Sequence, residues 1–185
     1  MKLIIGLGNP GPNFVATRHN LGFMVLGRSV HDLDATFSSK PKFHGDIAEA
    51  AVDNTKVIFL RPTTFYNDTG LAVRAAKDFY KIDNDDILVV HDELALPFGT
   101  LRTREQGSHA GNNGIKSISA HIGEDYRRLR IGIWNELREQ MDDADFVLAK
   151  FSPEEREKLP LLIDHAATLV EAFIAGGHVA DTFQI

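Results

Sequence analysis

Two ionisable side chains, His19 and Asp92, occupy positions in the sequence that suit residues that transfer protons. His19 comes just before or within the first turn of a predicted helix, where the positive end of the helix dipole disfavours a charged imidazole. A neutral imidazole there can accept a proton. Asp92 ends the apolar run ILVVHD, and a carboxylate at that end of a strand can fix a histidine tautomer and stabilise the imidazolium. Each residue alone also fits a simple helix or turn cap, so the chemistry requires that the two meet.

Water is the simplest nucleophile for such a base. The chain has no cysteine and no G-x-S-x-G sequence, so neither a thiolate nor the nucleophile elbow of serine hydrolases is available. A metal-dependent hydrolase stays open as an alternative, because the chain has eight histidines and many carboxylates. Neither H-E-x-x-H nor a comparable ligand spacing occurs, however, and we expect no metal. His91 precedes Asp92 in the strand and is expected to pack on the opposite face of the sheet.

Asparagines lie in three loops between the predicted elements: Asn9 in GLGNPG, Asn67 in PTTFYNDTG and Asn113 in GSHAGNNG. A side-chain amide can hydrogen-bond a carbonyl group, a ribose hydroxyl or water, and it can help to stabilise an oxyanion. Each asparagine alone fits a helix cap equally well. From the residues alone, both interpretations stay open.

The sequence GLGNPG at residues 6–11 also matches the G-x-G-x-x-G pattern of dinucleotide-binding proteins. A dinucleotide-binding loop opens directly into a helix, whereas Pro10 and Pro12 flank the last glycine and the next helical pattern starts near residue 19. The acidic residue that should end a second strand is missing as well, since Asp32 and Asp34 follow a helix. We therefore expect no nicotinamide or flavin cofactor.

The elements that must position these side chains alternate along the chain. Apolar runs bounded by turn residues predict strands at KLIIGL, DIAEAAV, KVIFLR, DILVVHD and RLRIGI, with a hairpin between the second and third. Apolar residues at helical spacing predict helices near residues 19–33, 71–80 and 113–122, and SPEE at residues 152–155 begins a last helix with a capping box. The pattern predicts an α/β fold. We expect residues 1–185 to form a single domain with a twisted, mixed, largely parallel sheet and helices on both faces.

Composition and charge narrow the class of protein. The chain is 43% hydrophobic and 25% charged, as soluble globular domains are, and its lack of cysteine fits a reducing compartment. The first apolar run, Leu3 to Ile5, has three residues, too few for a signal peptide or a membrane span, so we expect a cytoplasmic protein. The net charge is −6, yet residues 99–130 carry 6 basic and 3 acidic side chains. That segment is either a phosphate-binding patch or an ordinary solvated surface.

Six sequence blocks, in order along nearly the whole chain, resemble the bacterial type of peptidyl-tRNA hydrolase. They are GLGNPG with TRHNLGF, RPTTFYNDTG, VVHDELALPFG, GSHAGNNG, YRRLRIGI and FVLAKFSPEE. The resemblance implies hydrolysis of the ester between a peptide and the terminal ribose of tRNA, with no cofactor. We expect a monomer that acts on tRNA carrying a peptide and needs neither a membrane nor a protein partner. The alternative is a tRNA-binding module of the same fold without turnover, against which the intact His19 and Asp92 argue.

The resemblance also implies roles for individual residues. His19 would be the catalytic base, Asp92 the residue that orients it, and Asn9 the residue that contacts the peptide. The remaining implied contacts are with the substrate, by Phe14, Phe65, Asn67 and Asn113, and with the 5′-phosphate of tRNA, by Arg104 and Arg130. Phe14 stands where the family often has tyrosine, so a hydroxyl contact is lost there. The pattern also changes in the glycine-rich loop, at Gln106, Ser108, Ala110 and Asn112, and in WNEL at residues 134–137.

Overall fold

The computed structural model describes residues 1–177 and 183–185, and over these residues eight strands join one mixed sheet. The strands lie in the order β2-β3-β4-β1-β5-β7-β6-β8. Their bounds are β1 Lys2–Gly6, β2 Ser38–Lys40, β3 Gly45–Val52, β4 Thr55–Pro62, β5 Ile87–Pro97, β6 Thr100–Arg104, β7 Arg127–Trp134 and β8 Phe183–Gln184. The helices are α1 Leu21–Asp32, α2 Thr69–Tyr80, α3 Asn113–Ile122, α4 Asp143–Leu148 and α5 Pro153–Ile174.

Parallel pairing joins the four central strands, β4, β1, β5 and β7, and antiparallel pairing forms both edges. The predicted hairpin is confirmed as β3 and β4, with Val52 opposite Thr55. Its turn residues Asp53 and Asn54 have φ values of 44° and 66°, which suit the tight two-residue turns that match strand twist. The mixed sheet that the sequence predicts is confirmed, with its parallel part at the centre.

Helices cover both faces of this sheet, as predicted. Consecutive residues of a central strand point to opposite faces, so Ile4 joins the core beneath α1 and α5, whereas Ile5 joins the core beneath α2 and α3. Val90 and Val89 divide in the same way on β5. This double burial explains why the central strands are almost continuously apolar in the sequence.

The start of α1 lies unusually close to the sheet. A Cβ atom on Gly22 would lie 2.4 Å from the carbonyl oxygen of Val90 and 2.5 Å from the backbone nitrogen of Leu7, so only glycine fits there. This approach brings the short 3₁₀ turn Arg18–Asn20, which precedes α1, to the carboxyl ends of β1 and β5. Ligand sites of open α/β sheets form at that edge.

The last helix, α5, begins as the sequence predicts. The hydroxyl of Ser152 accepts a hydrogen bond from the backbone N–H of Glu155, and the Glu155 carboxylate accepts one from the backbone N–H of Ser152. Pro153 takes the first helical position, where its missing N–H costs nothing. Across residues 1–177 and 183–185, no helix is both long and apolar enough to cross a membrane.

Candidate active site

His19 and Asp92 meet, although 73 residues separate them in the chain. Nδ1 of His19 lies 2.8 Å from Oδ2 of Asp92, whose side chain is 2% exposed, whereas the His19 side chain is 15% exposed. A carboxylate only accepts hydrogen bonds, so Nδ1 carries the proton in this pair. The other ring nitrogen, Nε2, is therefore the unprotonated atom of a neutral His19 and can act as a base.

Asp92 lies inside β5. The sequence analysis predicted that it would end the strand, and that prediction is wrong. The pairing of β5 with β1 ends at Val90, and its regular pairing with β7 ends at Glu93, while β5 itself continues to Pro97. Asp92 therefore lies two residues beyond the end of the β1–β5 pairing, while it is still paired with β7. There its carboxylate can accept hydrogen bonds from side chains that cover the end of β1.

Tyr66 is the residue of this site that sequence reasoning missed. Its ring stacks on the His19 imidazole with 3.5 Å between ring centroids and 13° between planes. Its hydroxyl donates a hydrogen bond of 2.8 Å to Oδ1 of Asp92. Burial, together with the adjacent Asp92 charge, raises the pKa of the Tyr66 phenol well above its usual value. The phenol is therefore a hydrogen-bond donor throughout the physiological pH range.

Asn9 is held by neighbours on both sides. Its Oδ1 accepts a 2.9 Å hydrogen bond from the backbone N–H of Tyr66. Its backbone N–H donates to Oδ1 of Asn20, and its carbonyl oxygen accepts from Nδ2 of Asn20, both at 2.9 Å. These bonds fix the side-chain amide so that Nδ2 is the group left to bind a ligand carbonyl.

Two solvent-open cavities lie beside His19, and the empty space within them, open solvent included, is about 660 and 930 Å³. His19, Asn113 and the α4 residues Ala144 and Val147 line both of them. The smaller cavity adds predicted substrate residues, namely Asn9, Phe65 and Asn67. The larger cavity is also lined by residues 110–112 and by four charged residues, Asp92, Glu93, Arg138 and Asp143. Over the described residues, no three histidine, aspartate or glutamate side chains are grouped to hold a metal ion.

The structure does not bring every predicted residue to these cavities. Phe14 lies in the turn that precedes Arg18, half-buried and outside both cavities, and its contact with substrate stays a prediction. Arg104 and Arg130 lie on β6 and β7, on the face away from the core that holds Leu129. We call the four arginines on that face, Arg102, Arg104, Arg128 and Arg130, the arginine face.

Two members of the arginine face are engaged inside the protein. Nε of Arg130 donates to Oε2 of Glu93 at 2.9 Å, and its side chain is only 12% exposed. Arg128 is buried and donates to the backbone carbonyl oxygens of Gly107 and Ser108, so it holds the glycine-rich loop in place. Arg104 is exposed at the end of β6. It is thus the predicted phosphate contact that is open to solvent.

His91 is buried, and its side chain leaves β5 on the face opposite to that of Asp92, as expected for consecutive strand residues. It is 2% exposed, and its Nδ1 lies 2.6 Å from the carbonyl oxygen of Asp92. Burial lowers the pKa of this ring because a charged imidazolium loses its hydration there. His91 is therefore a neutral structural residue that supports the Asp92 backbone.

This burial predicts a pH-dependent stability. As pH falls through about 6.5, the unfolded chain takes up a proton at His91 that the folded protein refuses, so the free energy of unfolding falls. The stabilisation by neutral His91 is present above that pH and is lost toward the lower folded-state pKa. Urea unfolding at about pH 7.5 and about pH 5.5 should show a loss of about 1 kcal/mol that His91→Gln removes.

His31→Gln is the matched control for this measurement, because the His31 side chain is 86% exposed. That variant should keep the pH dependence of the parent. Equal pH dependence in His91→Gln and the parent would contradict the assignment of His91 as a neutral buried group.

Comparison with known proteins identifies the family to which this sequence and fold belong. The family model described as peptidyl-tRNA hydrolase matches residues 3–184. A curated peptidyl-tRNA hydrolase from Sulfurovum sp. (strain NBC37-1) is 43% identical over 175 residues, which cover 94% of this chain and 89% of that protein. The peptidyl-tRNA hydrolase of Aliarcobacter butzleri (strain RM4018) is 42% identical over 172 residues, covering 93% and 91% of the two chains.

The fold agrees as well. The crystal structure of peptidyl-tRNA hydrolase from Acinetobacter baumannii superposes with a TM-score of 0.87 at 36% identity, covering 95% of this chain and 89% of that one. The sequence match therefore extends over the strands and helices, including the 3₁₀ turn that carries His19 and the strand that carries Asp92. With its fold and nearly its whole length matched, the chain belongs to the peptidyl-tRNA hydrolase family.

Proposed function

We propose that the chain hydrolyses the ester bond that joins a peptide, or an N-blocked amino acid, to the terminal ribose of tRNA. The observation that carries this proposal is the hydrogen bond from His19 Nδ1 to Asp92 at the edge of two cavities. That bond leaves Nε2 as the basic ring atom of a residue that lines both cavities. Membership of the family supplies the substrate class.

The proposed reaction uses water as the nucleophile. Nε2 of His19 takes a proton from water as the water oxygen attacks the ester carbonyl, and Asp92 stabilises the resulting imidazolium. The carbonyl oxygen becomes an oxyanion in a tetrahedral intermediate. When the intermediate collapses, the carbon–oxygen bond to ribose breaks and the imidazolium returns the proton to the ribose oxygen. The products are an intact tRNA and a peptide with a free carboxylic acid, which loses its proton to the solvent.

Substrate contacts are proposed for the residues around this pair. Nδ2 of Asn9 is the group left to donate to a peptide carbonyl beside the ester, and Asn113 and Asn67 offer amides from the other walls of the smaller cavity. Phe65 is 63% exposed at the same cavity and offers an apolar surface to the peptide side chain. Such fixed contacts supply the orientation that general-base catalysis alone does not provide.

Recognition of the tRNA body is proposed for the arginine face. Arg104 would contact the 5′-phosphate directly. Arg130 would contribute positive charge beside Arg104 while it stays paired with Glu93. The proposal also includes a single domain of residues 1–185 that works as a cytoplasmic monomer. Residues 131–185, the acidic third of the chain, carry 11 acidic and 4 basic side chains. Their charge would repel RNA and confine its approach to the basic side.

Arg104→Ala should weaken the binding of full-length substrate without changing the chemical step. Loss of one phosphate contact should raise KM and reduce the log–log salt slope by up to about one unit. A minimal ester that carries only a terminal nucleoside lacks the 5′-phosphate, and the variant should hydrolyse it like the parent. Kinetics on both substrates at several salt concentrations provide the measurement.

Arg156→Ala is the control with the same change of charge, since Arg156 is exposed on α5 in the acidic third of the chain. It should leave the salt slope unchanged. Equal losses on both substrates in Arg104→Ala would assign that arginine to the fold. Arg130→Ala is a less clean test, because it leaves the buried Glu93 carboxylate beside the active site without its ion pair.

The proposed function itself is tested by measuring acyl release from tRNA. The purified protein should release the acyl group from N-acetylated aminoacyl-tRNA, and release from the same aminoacyl-tRNA with a free amino group should be far slower. The same assay with a chelator distinguishes the metal-dependent alternative. Binding of tRNA without any acyl release would favour a module that does not turn over.

A further inference from the structure

The Tyr66 phenol is part of a continuous series of hydrogen bonds that ends at the proposed base. The backbone N–H of Ile115 donates to Oδ1 of Asn112 at 3.0 Å, and Nδ2 of Asn112 donates to the Tyr66 hydroxyl oxygen at 3.0 Å. The Tyr66 hydroxyl in turn donates to Oδ1 of Asp92 at 2.8 Å. His19 Nδ1 donates to the other carboxylate oxygen, also at 2.8 Å.

The start of α3 sets the direction of this series. Asn112 is the N-cap of α3, so its oxygen is used by the helix and its Nδ2 donor faces the phenol. The phenol oxygen must then accept from Asn112, and its own proton points to Asp92. Nδ1 of His91 already lies 2.6 Å from a carbonyl oxygen, which makes it a donor and no competitor for the Asn112 amide.

Packing fixes the Tyr66 ring as firmly as its hydroxyl. Tyr66 is 2% exposed, with the His19 imidazole stacked on it. Gly114 of α3 makes room for the ring, since a Cβ atom there would lie 2.5 Å from Cε1 of Tyr66. The imidazole plane is thereby fixed by the tyrosine ring on one side and by Asp92 at its edge.

We propose that Tyr66 is a positioning residue for the hydrolysis: its ring fixes the plane of the His19 imidazole, and its hydroxyl holds Asp92 and shares the carboxylate charge. This inference rests on the proposed function. By taking part of the negative charge of Asp92, the phenol weakens the attraction of that carboxylate for an imidazolium. Removing the phenol oxygen should therefore strengthen the attraction of Asp92 for an imidazolium.

Other ionisable groups surround the pair and must be considered in any pH measurement. Glu93, Arg138 and Asp143 line the same cavity as His19, and His91 contacts the Asp92 carbonyl oxygen. All four are unchanged when only the phenol oxygen is removed. A difference between Tyr66→Phe and the parent therefore reports the hydroxyl of Tyr66.

Tyr66→Phe keeps the stacked ring and removes only the hydroxyl. On N-acetylated aminoacyl-tRNA, the acid limb of the pH profile of kcat/KM should move to higher pH by about half a unit. At the plateau, kcat should fall by about three- to tenfold because Asp92 is held less firmly, while KM stays within about twofold. Tyr66→Leu also removes the stacked ring, and its kcat should be lower again.

Tyr80→Phe is the matched control. The Tyr80 hydroxyl donates to Oε1 of Glu49 at 3.0 Å on an exposed surface, so this variant also loses a bond between a phenol and a carboxylate. It should leave the pH profile and kcat unchanged. Asn112→Ser retains a good N-cap for α3 and removes the amide donor to the phenol, so it should move the acid limb in the same direction as Tyr66→Phe, but less.

An NMR titration of the His19 ring in the free protein separates this inference from the proposed function. If the parent releases no acyl group, the proposed function fails, and the titration still shows whether Tyr66→Phe moves the pH at which the ring takes up a proton. If the parent is active and Tyr66→Phe gives the same pH profile and the same titration, the inference is wrong. Should Tyr66→Phe not fold, Asn112→Ser decides, and an unmoved acid limb in that variant overturns the inference.

Discussion

His19→Ala should lower kcat on N-blocked aminoacyl-tRNA by about 10²- to 10⁴-fold, the usual contribution of a general base. The variant loses the only atom that we assign to removing a proton from water. Its KM should change little, because the imidazole is not assigned to binding tRNA. The folded state should also persist, since the Asp92 carboxylate keeps the hydrogen bond from the Tyr66 hydroxyl when the imidazole is gone. Steady-state kinetics and a thermal melt together provide the measurement.

The matched control is His31→Ala, the same replacement at the end of α1 where the side chain is 86% exposed. It should retain the activity of the parent. Turnover by His19→Ala within about threefold of the parent would rule out His19 as the base. A large loss of stability together with activity would instead assign His19 to the packing of the 3₁₀ turn.

Glu155→Gln should lower the free energy of unfolding by about 3–5 kcal/mol, the cost of leaving a buried charge without its partner. Its partner is Arg18, whose side chain is completely buried and lies 2.5 Å from the Glu155 carboxylate. Burial already lowers the pKa of Arg18 despite this carboxylate. With a neutral amide in place of Glu155, the guanidinium loses its counter-charge and keeps only neutral partners, namely the new amide oxygen, the Lys150 carbonyl oxygen and the faces of two phenylalanine rings.

The loss should extend to the active site. Arg18 directly precedes His19, and its backbone N–H donates to the carbonyl oxygen of Ala149, one residue beyond α4. The buried ion pair therefore ties the turn that carries His19 to the segment that supplies Ala144 and Val147 to both cavities. Urea unfolding measures the stability, and activity measured well below the unfolding transition shows whether the turn has moved.

Asp164→Asn is the control for this prediction. Asp164 also pairs with an arginine, Arg28, at 2.6 Å, but both side chains are nearly half exposed. An exposed pair contributes about 0–1 kcal/mol, so this variant should unfold close to the parent. Comparable losses of unfolding free energy in the two variants would mean that the buried Arg18–Glu155 pair stabilises the protein no more than an exposed pair does.

The sequence by itself determined the fold class and the identity of the two proposed proton-transfer residues. Apolar runs long enough for strands and buried on both faces predict central parallel strands, and β1 and β5 have that character. Local signals with a direct physical meaning were also reliable, as in the cap at Ser152 and the turn at Asp53. His19 and Asp92 can be selected among eight histidines and 26 carboxylates because of their positions, at a helix start and at the end of an apolar run, and because the segments that hold them resemble the family.

The tertiary structure alone decided which neighbours of those residues take part. Sequence reasoning chose Phe65 and Asn67, but the residue between them is the one that turns inward onto His19 and Asp92. Likewise, Asn112 caps α3 and contacts Tyr66, while Asn113 lines the cavities. A loop has no fixed periodicity, so its sequence does not indicate which side chain faces the core.

The arginines also show which properties can be predicted from the sequence and which depend on the tertiary structure. A count of side chains indicates a basic segment at residues 99–130, but it cannot distinguish the buried Arg128 from the exposed Arg104, or reveal that Arg130 pairs with Glu93. These differences depend on which face of β7 packs against the loop at residues 107–108 and on the register of β5 with β7. Both are set by contacts between segments far apart in the chain. Local sequence fixes what a side chain can do, and the packing of distant strands decides which groups it meets.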